Sequence, residues 1–207
     1  MAERRIKVAF IGTHGVGKTT LCYDLAAHLK RLDFGVDLVK EVARECPLPI
    51  NRDTTLEAQS WILHTQIARE LAAAEAYSAV VSDRSVLDNY AYLVHQVGRT
   101  ETLEPMIRAW LPSYAALVKV PVWEQPRFDG TRDLSETFQL EIDRTIDALV
   151  DAFRAPVLRL RVEDHPDWLR QVLETLDLPL EPPQLRLFNG GTGEGGPAHS
   201  PLSTEDA

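Results

Sequence analysis

The sequence predicts an α/β fold in which helices cover both faces of a five-stranded parallel sheet. Three observations predict it. Short apolar runs alternate with stretches of helical period from Ile6 to Leu176. The first run, Val8-Ala9-Phe10-Ile11, is apolar without alternation, as expected for a strand buried on both faces. A glycine-rich segment, Gly12 to Thr19, then joins this run to the helical pattern Leu21, Leu25, Leu29.

The elements follow in order. Ile6 to Ile11 is the first strand, and Lys18 to about Arg31 is the first helix. Gly35 ends the connection, and Val36 to Lys40 forms a second strand. Glu41 to Arg52 is irregular, because Pro47 and Pro49 forbid a regular helix. Thr54 or Thr55 caps a long helix, with Glu57 placed for a capping box and Leu56, Leu63, Ile67 and Leu71 on one face. Ala79-Val80-Val81 is a third strand ending at Ser82-Asp83. Helices are expected over Ser85–Val97, closed by Gly98, and over Thr102–Trp110, stopped by Pro112. Tyr114 to Val122 is a fourth strand, and Trp123 to Asp133 a polar loop. Leu134 to Phe153 returns to helix, with Phe138, Ile142, Ile146 and Leu149 buried. Pro156–Arg161 is the fifth strand, and Asp167–Leu176 the closing helix. Residues 1–180 make one domain. Residues 181–207 are rich in Gly, Pro, Ser, Thr and acid, and are expected to be disordered.

Gly12 to Thr19 reads Gly-Thr-His-Gly-Val-Gly-Lys-Thr, the spacing G-x-x-x-x-G-K-[ST] of a phosphate-binding loop. Gly12 and Gly17 let the backbone turn tightly, so that successive N–H groups point inward at phosphate oxygens. The helix N-terminus adds to that field. The expected nucleotide-binding set is Gly12, Thr13, His14, Gly15, Val16, Gly17, Lys18, Thr19 and Thr20. His14 contributes to loop shape only. Lys18 reaches the outer phosphates, and the Thr19 hydroxyl takes a position on Mg²⁺.

Ligands in parallel sheets bind beyond the carboxyl ends of the strands, and that rule selects the remaining candidates. Asp83 stands where a second Mg²⁺ carboxylate belongs, acting through water; the competing role is a helix cap. Arg84 is either a contact to the transferring phosphate or a surface ion pair. Glu41 accepts or orients the proton of an attacking hydroxyl, and Arg44 holds the acceptor; the alternative is an exposed charged loop. Arg127 and Arg132, around Asp129-Gly130, are cations of a closing loop or of a solvated one. Gln59, Asp88, Asn89 and Tyr92 are acceptor-pocket candidates, whereas Trp61 fits the core better.

Gly12–Thr19, Glu41-Val-Ala-Arg44, Ala58-Gln59, Ser82 to Ser85 and Asp129 to Arg132 together resemble the NadR-like AAA-type ATPase family. That family includes the ribosylnicotinamide kinase domain and is related to thymidylate and deoxynucleoside kinases. The resemblance covers about residues 5 to 178. It implies a three-layer P-loop kinase fold, Mg²⁺ with ATP as donor, and a lid around Arg127 to Arg132. By similarity, Glu41 matches the carboxylate that activates the acceptor hydroxyl, and Asp83-Arg84 matches an acidic–Arg pair after the third strand. The ribosylnicotinamide kinase domain carries Asp-Thr-Asp where this chain has Asp83-Arg84-Ser85. The resemblance therefore implies the kinase class rather than nicotinamide riboside itself.

Composition narrows the classes. The formal net charge of −9 argues against a nucleic-acid surface. Cys22 and Cys46 have no metal-ligand spacing and are expected to be free thiols in a cytoplasmic protein. Neither a secretory leader nor an apolar run long enough to span a membrane is expected. Two functions remain. One is an ATP-dependent kinase acting on a nucleoside- or nucleotide-like acceptor. The other is a nucleotide-binding regulatory switch that recognises a phosphorylated lipid or a protein. The lack of an Asn-Lys-x-Asp stretch, and of a second carboxylate directly beside Asp83, counts against a GTPase switch. The sequence leaves the oligomeric state open, a dimer included.

Overall fold

The structure, a computed structural model, describes residues 5–123 and 135–181. Arg127, Arg132, the Asp129-Gly130 pair and the segment from residue 182 onward lie outside the described residues. The strands are β1 (Ile6–Ile11), β2 (Val36–Val39), β3 (Ala79–Asp83), β4 (Ala116–Lys119) and β5 (Val157–Arg159). The helices are α1 (Lys18–Arg31), α2 (Leu56–Ala76), α3 (Val86–Val97), α4 (Glu104–Trp110), α5 (Glu136–Phe153) and α6 (Trp168–Thr175). A short 3-10 turn over Val42–Glu45 follows β2, and another covers Asn51–Asp53.

The strands form one sheet in the order β2-β3-β1-β4-β5, and every pairing is parallel. β1 is central, and its side chains alternate between two cores as the pleat requires. Ile6, Val8 and Phe10 pack with α1 and α6; Ala9 and Ile11 pack with α3 and α5. Three layers result, and the carboxyl ends of β1, β2 and β3 share one rim.

Several details differ from the sequence-based expectation. The ladder of β4 stops at Lys119, two residues before Pro121, although Val120 N still donates to Ile11 O at 2.9 Å. α4 begins at Glu104 with Pro105 in its first turn, where a missing N–H costs nothing. The cap of α2 is Thr55, whose hydroxyl accepts from Ala58 N. Glu57 is one residue short of the capping-box position. The buried face of α2 is only partly the expected one: Leu63 is buried and Ile67 packs on the core, but Leu56 and Leu71 are exposed, and Gln59, Ile62, Gln66 and Glu70 are buried. A capping box does occur on α3, where Ser85 accepts from Leu87 N and Asp88 accepts from Ser85 N.

Candidate active site

The loop after β1 is built on positive φ. Gly12 sits at 143° and Gly17, which caps α1, at 89°. A Cβ at Gly12 would lie 2.8 Å from Val120 O, so both conformation and space exclude a side chain there. The Lys18 ammonium donates to Thr13 O at 2.5 Å across the loop. Burial, then the charge of Arg84, lowers its pKa to about 8 against the pull of Asp83, Asp88 and Glu41. The loop is tied down from outside. Gln139 of α5 donates to His14 O at 2.9 Å, the His14 ring stacks on Phe138, and Trp123 Nε1 donates to Val16 O at 3.2 Å.

β1 and β3 are neighbours, so the loop and the end of β3 meet. Thr19 Oγ1 donates to Asp83 Oδ2 at 2.5 Å. A hydroxyl and a carboxylate side by side are hard oxygen donors, and they suit Mg²⁺, which keeps most of its waters. Asp83 does not cap α3; Ser85 does.

Arg84 follows at φ 96°, a left-handed conformation that a side-chain-bearing residue seldom adopts. It is neither a surface ion pair nor an open cation. Its guanidinium is 5% exposed and donates to Glu41 Oε1 (2.6 Å), Asp88 Oδ2 (3.3 Å), Tyr92 Oη (3.3 Å) and Gly12 O (3.5 Å). Glu41 is held from the other side by Arg44, at 2.7 Å on Oε2. Burial alone would raise the pKa of Glu41. The charges of Arg84 and Lys18, and the bonds from Arg84 and Arg44, outweigh burial and hold the carboxyl well below the ordinary carboxylate range. Asp88 shifts the other way, because burial pushes it up despite Arg84 and Lys18.

Glu41, Arg44, Gln59, Arg84, Asn89 and Tyr92 line one cavity beside the loop. It encloses about 30 Å³, which accommodates a water but not a nucleoside. Asn89 is buried, and its Nδ2 has no hydrogen-bond partner among the described residues, so the cavity wall presents an unused donor. Trp61 is half-buried on α2 and is not part of this wall.

Residues 7–167 match a protein family described as an AAA domain. The chain belongs to this family. Solved structures share the fold of this AAA domain. A NadR protein in complex with NR is 18% identical, with a TM-score of 0.67 over 87% of this chain and 54% of that one. The deoxyadenosine kinase of M. mycoides with bound dATP is 16% identical, with a TM-score of 0.61 over 84% of this chain and 100% of that one. Thymidylate kinase from Ehrlichia chaffeensis is 14% identical, with a TM-score of 0.61 over 84% of this chain and 99% of that one. No curated protein matches the chain in sequence. The expected AAA-type family and three-layer fold are both found.

Of the residues expected from sequence, the AAA domain brings Lys18, Glu41, Thr19, Asp83 and Arg84 to one rim, and Gln59, Asp88, Asn89 and Tyr92 to the adjoining cavity or beneath it. Sequence reasoning gave the side chain of His14 no bonds, and it assigned nothing to Gln139 or Trp123. Gln139 faces the same way on α5 as Ile142 and Ile146, which was the available signal.

Proposed function

We propose that this AAA domain is an ATP-dependent kinase that passes the γ-phosphoryl group to a hydroxyl or phosphate of a nucleoside- or nucleotide-like acceptor. The observation that carries the reading is the cavity itself. Glu41 stands in its wall, next to the phosphate loop, with both carboxylate oxygens bonded to arginines. The unused amide donor of Asn89 stands in the same wall, where an acceptor hydroxyl or phosphate could meet it. The kinase names of two solved proteins of like fold support the same class.

In this reading the loop N–H groups and Lys18 hold the triphosphate, and Thr19 and Asp83 would hold Mg²⁺. Bound there, Mg²⁺ supplies charge neutralisation on the phosphate oxygens. The acceptor oxygen attacks Pγ, the bond from Pγ to the bridging oxygen breaks, and ADP leaves with the electron pair. Glu41 is too acidic for an efficient proton abstractor near neutral pH. Its role is to accept the hydroxyl's hydrogen bond and aim the oxygen lone pair, the proton passing late to an oxygen of the transferred phosphoryl group. Arg84 holds Glu41 in that position and adds positive charge under the transferring group.

Transfer from γ-labelled ATP with Mg²⁺ to nucleosides, nucleoside monophosphates and nicotinamide riboside tests this, with Lys18→Ala as the blank. A labelled product absent from the blank is the expected result. Tight nucleotide binding without any labelled product would replace the kinase by the regulatory switch.

A further inference from the structure

A second buried polar cluster lies toward the amino end of β1, at Lys7, whereas the phosphate loop follows its carboxyl end. Glu70 of α2 has no exposed surface, yet both of its oxygens are filled. Oε1 accepts from Gln66 Nε2 (2.8 Å) and Tyr114 Oη (2.9 Å); Oε2 accepts from Lys7 Nζ (2.9 Å) and Trp110 Nε1 (2.8 Å). Lys7 also lies over the rings of Trp110 and Tyr114, 4.2 and 4.5 Å from their centroids. A carboxylate with four donors is a fixed point.

One member of the cluster reaches upward. Gln66, also fully buried, donates its Nε2 a second time, to Arg84 O at 3.3 Å. This carbonyl belongs to the residue with φ 96°. The Arg84 N–H is held as well, by Phe10 O at 3.1 Å. Both polar groups of one strained residue are therefore pinned. The strained turn carries the Arg84 side chain from the end of β3 back under the phosphate loop, where it meets Gly12 O and Glu41. Gln66 Oε1 has no partner among the described residues. A buried amide that leaves its oxygen unsatisfied while its nitrogen bonds twice is placed for its donor rather than for stability.

We propose that Gln66, anchored by Glu70, is a positioning residue for Arg84: its amide fixes the Arg84 carbonyl, holds the left-handed turn, and thereby aims the guanidinium at Glu41. The assignment rests on the reading of Glu41 and Arg84 as transfer-site groups. Gln66 touches no reacting atom.

The test uses the isotope-labelled full chain and compares Gln66→Met, which keeps length and loses the donor, with Gln66→Lys, which keeps a donor at similar reach. The readout is hydrogen exchange of the Arg84 Nε–H, which Glu41 shields in the wild type. In Gln66→Met it is expected to speed up at least tenfold, with Mg-ATP affinity within twofold and kcat for phosphoryl transfer down about tenfold. Gln66→Lys is expected to restore most of both. Trp110→Phe removes a donor from Glu70 without touching the Arg84 turn, and is expected to lower the unfolding temperature while leaving the Arg84 Nε–H protected. Should Gln66→Met not fold, Gln66→Asn, one methylene shorter, is read the same way. Unchanged protection of Arg84 in the Gln66 variants would overturn the proposal, as would equal loosening by Trp110→Phe. A wild type that phosphorylates no acceptor defeats the kinase reading instead, and the Arg84 exchange rates still decide the role of Gln66.

Discussion

Glu41 and Lys18 both have lowered pKa values, one held down against burial by arginine charge and the other lowered by burial, and both shifts can be measured. Glu41 stays ionised far into acid, so the kcat profile is expected to show no limb from it between pH 5 and 8, roughly the window of ordinary assays. Its folded pKa lies below the ordinary 4.5, so its contribution to stability is present above that value and lost as pH falls through the folded one. Glu41→Gln is expected to lower kcat by roughly 10²-fold while Mg-ATP affinity, read by calorimetry, hardly moves. A parallel loss of affinity would make Glu41 a metal or structural residue. For Lys18 the signs reverse between binding and stability. A phosphate needs the ammonium charged, so Mg-ATP affinity is expected to fall as pH rises past about 8. The fold holds that proton less tightly than the unfolded chain does. Between about pH 8 and 10.5 its burden on the folded state is therefore relieved, and the Lys18 contribution to stability rises with pH.

At the scale of elements, α3 depends on its first turn. Ser85→Ala removes both the cap and a partner of buried Asp88, and is expected to cost about 1–2 kcal/mol in urea unfolding. Trp123 joins the end of the β4 segment to the phosphate loop through Val16 O and stacks on His165 at 4.2 Å. Mg-ATP binding is expected to change its fluorescence, and Trp123→Phe to abolish that change. α1 and the loop before it were legible because their signals are local: fixed spacing, glycines, and one clean apolar stripe. α2 was not. Its burial is decided by Gln59, Gln66 and Glu70, polar residues that a hydrophobic pattern assigns to water; Gln59 bonds nearby Thr54, while Glu70 is satisfied by Lys7, Trp110 and Tyr114 from far along the chain. The turn at Arg84 was hidden for the same reason, since nothing in Asp83-Arg84-Ser85 announces a left-handed arginine. Its burial depends on Glu41, Asp88 and Tyr92, the first of them 43 residues away.

For the whole molecule, the alternation of strands and helices was enough to give a parallel sheet, because crossover connections leave few alternatives. The strand order was not legible, since it is set by long-range pairing that periodicity does not record. Phe10, fully buried in the core shared with α1 and α6, measures how much the sheet depends on that order: Phe10→Ala is expected to cost about 3–5 kcal/mol in denaturant unfolding. The cavity at the rim encloses about 30 Å³, so an acceptor has to widen it on entry. Hydrogen exchange in the turns Val42–Glu45 and Asn51–Asp53 is expected to change when an acceptor binds. β1 lies between two flanks that bring different side chains to the rim. Glu41 and Arg84 come from the β2–β3 flank, and Trp123 and His165 from the segments after β4 and β5. On the proposed kinase reading, substitutions that reshape the acceptor wall fall on one flank, and those that loosen the outer ties of the phosphate loop fall on the other.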